Sequence, residues 1–326
     1  MRESPLKTSS RLGRLVLSLL ILGALSVPAA AEKLRVGNPA ARNFLFVPLY
    51  VAKQTGIFAK YGIDAEPVDF QGGAKVQQAM VAGAIDLSVS GATDMAFIAK
   101  GAPELAVAAE VGAPLNFGLV TPYNSPIREP ADVKGRTIGV TSVGSLTQWL
   151  VLRLMHQHQW AADAVTFATT GGDPASQIAA LTTGQVDGVM TSSALGLQLE
   201  LSKRGRLAFP ASKIIPEFIS AAIFASNQIL HDDPQAVRKF LAAWFDTIGF
   251  MRSNKAQTVK IAMSVTGFAP EVEDGEYDLV MPTFSTDGKF AAAPLEILQG
   301  SFIEMGLLAA RPDMSKLYTE AYLPSK

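Results

Sequence analysis

Residues 79–86 read Ala79-Met80-Val81-Ala82-Gly83-Ala84-Ile85-Asp86, and residues 180–187 read Ala180-Leu181-Thr182-Thr183-Gly184-Gln185-Val186-Asp187. Each stretch closes a helical pattern, places a glycine where a left-handed C-terminal cap is wanted, and sets an aspartate just before an apolar run. Two further blocks repeat in the same order. Leu34-Arg35-Val36-Gly37 is matched by Arg136-Thr137-Ile138-Gly139, and residues 64–73 are matched by residues 163–172, ending in Gly72-Gly73 and Gly171-Gly172. Matching blocks at a nearly constant spacing of about 100 residues mark an internal duplication. Asp86 and Asp187, between a helix-ending glycine and a strand, read as turn carboxylates that bond nearby amides.

Each copy reads as strand, helix, strand, helix, strand. The strands are expected at 34–37, 65–70 and 87–90 in copy one, and at 137–141, 165–169 and 188–191 in copy two. Pro48 suits the first turn of a helix and Gly56 its end. This alternation implies an α/β protein with parallel sheets and helices on both faces. It predicts two Rossmann-like lobes with a hinge and an interlobe cleft. Ligands of open α/β sheets lie beyond the carboxyl ends of the strands. In lobe one those ends carry Asn38, Arg42, Asn43 and Phe44, then Gly72, then Ser90, Gly91 and Ala92. In lobe two they carry Ser142, Gly144, Ser145, Leu146 and Thr147, and further on Thr191 and Ser192. Small, polar and glycine-rich, these loops allow close approach to the backbone.

Residues 116–121 read as a strand leaving lobe one, and Pro122, Pro126 and Pro130 stiffen the passage into lobe two. Residues 219–226 are an apolar run that returns to lobe one. Asp232-Asp233-Pro234 opens a periodic helix over 235–253 whose stripe Val237, Phe240, Leu241, Trp244, Ile248 and Met251 is core packing. Lobe one is therefore expected at 32–122 and 224–326, and lobe two at 123–223.

Residues 1–31 read as a signal peptide. Arg2, Lys7, Arg11 and Arg14 precede a short apolar centre, and Pro28-Ala29-Ala30-Ala31 supplies small residues for cleavage after Ala31. The chain has no cysteine, so no lipid can be attached at one and no disulfide can form. The expectation is a periplasmic, exported protein that is not a lipoprotein. A formal net charge of −1 and the absence of a basic cluster beyond Lys203-Arg204-Gly205-Arg206 argue against nucleic acid as a partner.

Several stretches resemble one family. They are residues 48–58 with Tyr61-Gly62-Ile63-Asp64, then Gly83-Ala84-Ile85-Asp86, residues 132–140, and residues 180–187. They are similar to the sulfonate, nitrate, taurine and thiamine-precursor branch of periplasmic substrate-binding proteins, which serve ABC-type importers and have the type 2 periplasmic binding protein fold. The resemblance implies a monomer that binds a small-molecule ligand between its lobes, closes by a hinge motion, and docks on a membrane permease with its ATPase. It implies no cofactor.

Residues 136–150, RTIGVTSVGSLTQWL, run from strand to helix through small polar residues. A helix start with free amides and a partial positive charge suits a sulfonate or carboxylate; the plainer reading is a Ser/Thr cap serving its own helix. The lysine of a nucleotide-binding loop is missing. Arg42 could pair with an anion, and Phe44, Phe46 or Trp149 could stack on a pyrimidine-like ring. Tyr123 and Glu217 fall near the hinges. His156 and His158 lie two apart on a helix, so they share no face, and no metal site is expected. No nucleophile elbow is present. The function expected is therefore capture of a small organic anion for import, not catalysis. The alternatives are a binding protein for a thiamine precursor and a periplasmic sensor subunit. A pyrimidine-precursor synthase of the same fold is disfavoured, since that class uses a cysteine-rich motif.

Overall fold

A computed structural model describes residues 32–39, 43–70, 72–143 and 145–325; the expected signal peptide lies outside the described residues. Among the described residues ten strands form two five-stranded sheets. Sheet one holds β1 (Glu32–Asn38), β2 (Ile63–Asp69), β3 (Leu87–Gly91), β4 (Glu104–Val111) and β10 (Ala221–Ser226), in the order β2-β1-β3-β10-β4. Sheet two holds β5 (Phe117–Pro122), β6 (Thr137–Val140), β7 (Thr166–Thr169), β8 (Gly188–Ser192) and β9 (Gly205–Pro210), in the order β7-β6-β8-β5-β9. Helices α1 (Val47–Gln54) and α2 (Ile57–Lys60) join β1 to β2, α3 (Gly73–Val81) joins β2 to β3, and α4 (Met95–Ala99) joins β3 to β4. In the second lobe α5 (Leu146–Gln157), α6 (Pro174–Thr182) and α7 (Ser193–Leu201) play the same parts. After β10 come α8 (Asn227–Asp232), α9 (Pro234–Ser253), α10 (Lys255–Thr266), α11 (Pro270–Val280) and α12 (Ala292–Glu304).

The duplication is visible bond by bond. The Asp86 carboxylate accepts from the Arg35 amide at 2.8 Å, and the Asp187 carboxylate accepts from the Thr137 amide at 2.8 Å. Each aspartate amide returns a bond to the carbonyl of the same residue. Gly83 and Gly184 both take a left-handed conformation at the helix end, with φ of 67° and 72°. Gly37 and Gly139 sit where a Cβ would run into Ile85 and Thr170 respectively, so both first strands need the bare backbone to admit a side chain from the neighbouring loop or strand end.

Two expectations are corrected. The sheets are not purely parallel: β10 is antiparallel to β3 and β4, and β5 is antiparallel to β8 and β9. Residues 117–122, placed in lobe one by the sequence reading, belong to sheet two. Both facts have one cause. A strand that has just crossed from the other lobe enters its sheet at the carboxyl end of the parallel strands, so it must run against them.

Apolar packing supports each sheet. Helix α9 lays Val237, Phe240, Leu241, Trp244, Ile248 and Met251 into the core of lobe one, with Phe240 stacked on Phe58 at 5.5 Å. A second apolar cluster runs through both lobes. It joins Ala106, Ala109 and Phe224 of sheet one to Leu119, Ile138, Met190 and Phe209 of sheet two, through Phe218, Phe290, Leu298 and Phe302.

Candidate functional site

Chain connectivity brings the two sets of strand ends together. β4 ends at Val111 and β5 begins at Phe117, so the five residues 112–116 connect the lobes. Fully extended they reach at most about 18 Å. Residues 211–220 make the return passage from the end of β9 to the start of β10. Both passages leave from carboxyl ends, so the Asn38, Gly91 and Val111 end of sheet one lies near the Val140 and Ser192 end of sheet two.

In lobe two the loop before α5 is wired internally. Ser145 is the N-cap, with extended backbone at φ −80° and ψ 162°. Its Oγ accepts from the Gln148 amide at 3.3 Å, donates to the Ser142 carbonyl at 2.7 Å, and lies 2.8 Å from the Thr147 hydroxyl. Thr147 in turn accepts from the Thr141 amide at 2.9 Å. The hydroxyls are thus engaged, and Ser145 caps its own helix. What remains to offer is the first-turn backbone amides at Leu146 and Thr147, which have no intrahelical acceptor. Gly144 lies outside the described residues. Thr191 donates to Gln177 at 2.7 Å and is buried, while Ser192 caps α7 through the Ala194 amide at 3.3 Å.

In lobe one Asn38 is buried, and its amide nitrogen donates to Asp69 at 2.7 Å. Asp69 also accepts from the Tyr50 hydroxyl at 2.6 Å; burial first, then that bond, pushes the phenol well above its ordinary range. Asn43 caps the short turn Phe44–Phe46 by accepting from the Leu45 amide at 3.0 Å. Phe44 and Phe46 are buried in the lobe-one core, Phe44 edge-on to Tyr277 at 6.3 Å, so neither offers a stacking face. Trp149 is likewise engaged: it stacks on Phe218 at 4.9 Å and donates its indole N–H to Glu304 at 2.7 Å. Gly72, at φ 105°, precedes α3 and donates to the Pro39 carbonyl at 2.9 Å. Ser90 donates to Asp94 at 2.5 Å, Ala92 donates through its amide to the Ser220 carbonyl, and Gly91 pairs with Ala221. Arg42 lies outside the described residues. Tyr123, Glu217, His156 in the last turn of α5 and His158 at its C-cap are exposed, and no metal-binding group of acidic, histidine or cysteine residues occurs among the described residues.

The electrostatics single out one helix start. The Asp94 carboxylate lies against Gly73 at the first turn of α3, about where an anion would sit, and burial raises its pKa to about 6. Asp173 caps α6 by accepting from the Ser176 amide at 2.9 Å. The first residue of α7, Ser193, donates to Glu276 of α11 at 2.6 Å; burial raises that acid to about 8. The start of α1 is packed among buried apolar residues, and Pro48 in its first turn has no N–H. Among helix starts at the strand ends, that of α5 is half-exposed, has no acidic residue in its first turn, and donates no hydrogen bond to a carboxylate among the described residues.

Sequence reasoning did not anticipate the contacts between lobes. Helix α11 packs on α7 so closely that a Cβ on Gly275 would lie 3.0 Å from Leu197. Glu304 at the end of α12 accepts from Trp149 and, at 2.9 Å, from Arg153 on α5. No local pattern pairs residues 155 positions apart. Two open surface concavities, one lined by Glu32, Leu34, Asp86 and Gln228 and one by Thr55, Lys60, Asp246 and Asn254, share no residue with the candidate site.

The fold and site define a two-lobed α/β binding-protein architecture of type 2. The sequence profile of the family described as NMT1/THI5 like matches residues 43–258, and the chain belongs to that family. A binding protein of Brucella abortus (strain 2308) is 25% identical over 213 residues, which are 65% of this chain and 65% of the relative, so just under two thirds of that relative's length is matched. The alkanesulfonate-binding protein SsuA of Xanthomonas axonopodis pv. citri, solved bound to MOPS, superposes with a TM-score of 0.73 at 23% identity, covering 89% of this chain and 99% of that one. The desulfurization enzyme DSZB also superposes, with a TM-score of 0.64 at 16% identity over 89% of this chain and 97% of that one. The architecture therefore carries both binding and catalysis, and the fold alone does not choose.

Proposed function

We propose that this protein captures a small organic anion of the sulfonate or carboxylate type between its lobes and hands it, chemically unchanged, to an ABC-type import permease and its ATPase. The observation that carries the reading is the start of α5, the polar, half-exposed helix terminus at the strand ends that no carboxylate among the described residues fills. A helix N-terminus of this kind favours an anion by roughly 0.3–2 kcal/mol from the dipole alone, before hydrogen bonds are added. The Xanthomonas relative is described as binding alkanesulfonates, which supports the same ligand chemistry. Phe44, Phe46 and Trp149 are engaged in packing, which weighs against a stacked neutral ring.

The moving bodies in this reading follow the two sheets, with residues 112–116 and 211–220 as hinges. Binding closes them only if the ligand touches both. The N-terminal segment is read as a cleavable export signal, giving a periplasmic monomer without a lipid anchor. The absence of cysteine weighs against the cysteine-dependent chemistry of a pyrimidine-precursor synthase.

A thermal-shift screen with alkanesulfonates, aromatic carboxylates, nitrate and pyrimidines tests the reading, because a ligand that binds only the folded state raises its melting temperature. Sulfonates or carboxylates should raise it. A shift with pyrimidines alone, or with none of the panel, would overturn it.

A further inference from the structure

Trp149, Arg153 and Gln157 stand four apart on α5, so they share one face of the helix. Each is tied to something outside its own sheet. Trp149 is 1% exposed; its ring stacks on Phe218, and its indole N–H donates to one Glu304 oxygen at 2.7 Å. Arg153 donates to the other Glu304 oxygen at 2.9 Å. Gln157 donates to the Ile214 carbonyl at 2.7 Å. Ile214 and Phe218 are buried residues of the 211–220 return passage. Glu304 ends α12, and α12 packs against the short turn Ala92–Asp94 that follows β3 at the carboxyl end of sheet one. One face of α5 is thus held by a hinge passage and by a helix seated on the strand ends of the other lobe.

The start of α5 lies within one turn of these bonds. Thr147 and Trp149 are two residues apart, a rise of about 3 Å, and a hydrogen-bonded helix moves as one piece over that length. Wherever Glu304 holds Trp149, the first-turn amides of Leu146 and Thr147 follow. Resting on the anion-binding reading above, we infer that Glu304 is a positioning residue for the anion site: it sets those amides against sheet one without itself touching the ligand. One carboxylate suffices because its two oxygens each take a bond, from an indole and from a guanidinium one turn further on, which fixes α5 both along and about its axis. The contacts at Ile214 and Phe218 hold the same face, so a change of hinge angle either carries the anion site with it or breaks these bonds. Binding at the start of α5 and closure are coupled through that face.

The test is titration and dissociation kinetics with propanesulfonate, or with the panel anion that raises the melting temperature most, on the wild type, Glu304→Gln, Arg153→Met and the double variant. Glu304→Gln keeps an acceptor for the indole and loses the charge facing Arg153. Each single variant is expected to bind about three- to ten-fold more weakly, mainly through faster dissociation, and the double variant no more weakly than the weaker single. Arg153→Lys, which keeps the charge, is expected to recover most of the affinity. Single variants that melt earlier but bind within about two-fold of the wild type would show a structural role only and overturn the inference, as would losses that add in the double variant. Hydrogen exchange of the wild type decides even if the variants fail to fold. The anion is expected to slow exchange at the start of α5 and at the end of α12 together, and slowing at α5 alone would overturn the coupling. No binding by the wild type of any sulfonate or carboxylate in the panel would remove the anion reading itself, and this inference with it.

Discussion

The Ser193 hydroxyl, at the start of α7, donates to Glu276 of α11 across 2.6 Å, and both side chains are buried. α11 is anchored on lobe one, where Tyr277 meets Phe44 and donates its hydroxyl to the Met251 carbonyl at 2.8 Å. The bond thus ties the second lobe to the first. A hydrogen bond of this kind is worth about 0.5–1.5 kcal/mol net. Ser193→Ala removes this link between the lobes. Ligand affinity is expected to fall about two- to ten-fold while thermal stability changes by less than the loss of a core side chain would cause; titration and melting of the same variant check it.

The acid in that pair sets a pH dependence. Burial raises Glu276 to about 8, and burial, with Asp94 nearby, raises Glu104 to about 8. For a carboxyl raised on folding, the folded state holds the proton more firmly than the unfolded one. Its stabilising contribution is fully present below the ordinary carboxylate range and is lost as pH rises toward about 8. Denaturant unfolding is expected to show stability falling from about pH 4.5 to about pH 8, and Glu276→Gln should flatten part of that slope. An unchanged slope in the variant would assign the effect to other acids.

How far the sequence could be read follows from where each signal lives. The repeat was legible because Gly83 with Asp86, and Gly184 with Asp187, do the same local work: a left-handed cap, then a carboxylate on the amide of the first strand. Nothing in residues 117–122 states which sheet will take them, since a buried strand looks alike in either lobe. Phe44 and Trp149 near the strand ends were plausible stacking faces until distant partners, Tyr277, Phe218 and Glu304, covered them.

Trp149 reports on the lobe contact. It sits between hinge residue Phe218 and Glu304 of α12, whereas Trp244 is held in the lobe-one core and Trp160 stacks on His158. A ligand-induced change in tryptophan fluorescence is expected to disappear in Trp149→Phe and to persist in Trp160→Phe and Trp244→Phe. Loss of the signal in Trp244→Phe instead would place the moving contact elsewhere.

Gly118 tests the packing of sheet two without touching the site. A Cβ there would lie 2.6 Å from the Phe209 carbonyl and 2.4 Å from a Leu207 methyl group, and the carbonyl cannot move without disturbing the β5–β9 pairing. Gly118→Ala is expected to cost about 1–3 kcal/mol in denaturant unfolding. Ligand affinity of the folded fraction should be unchanged.

Ser145 separates capping from ligand binding. Its hydroxyl caps α5, and aspartate caps as well as serine does, so Ser145→Asp should keep the helix and hold stability within about 1 kcal/mol. The same substitution puts a fixed negative charge beside the first-turn amides of Leu146 and Thr147. At an effective dielectric near 20, two like charges 4 Å apart repel by about 4 kcal/mol, enough to weaken an anionic ligand by two to three orders of magnitude. Ser145→Ala gives the converse, losing about 1 kcal/mol of stability with only a small effect on an anion held by backbone amides. If Ser145→Asp binds the anion normally, the ligand does not sit at the start of α5, and the protein's cargo must be sought at another pair of strand ends.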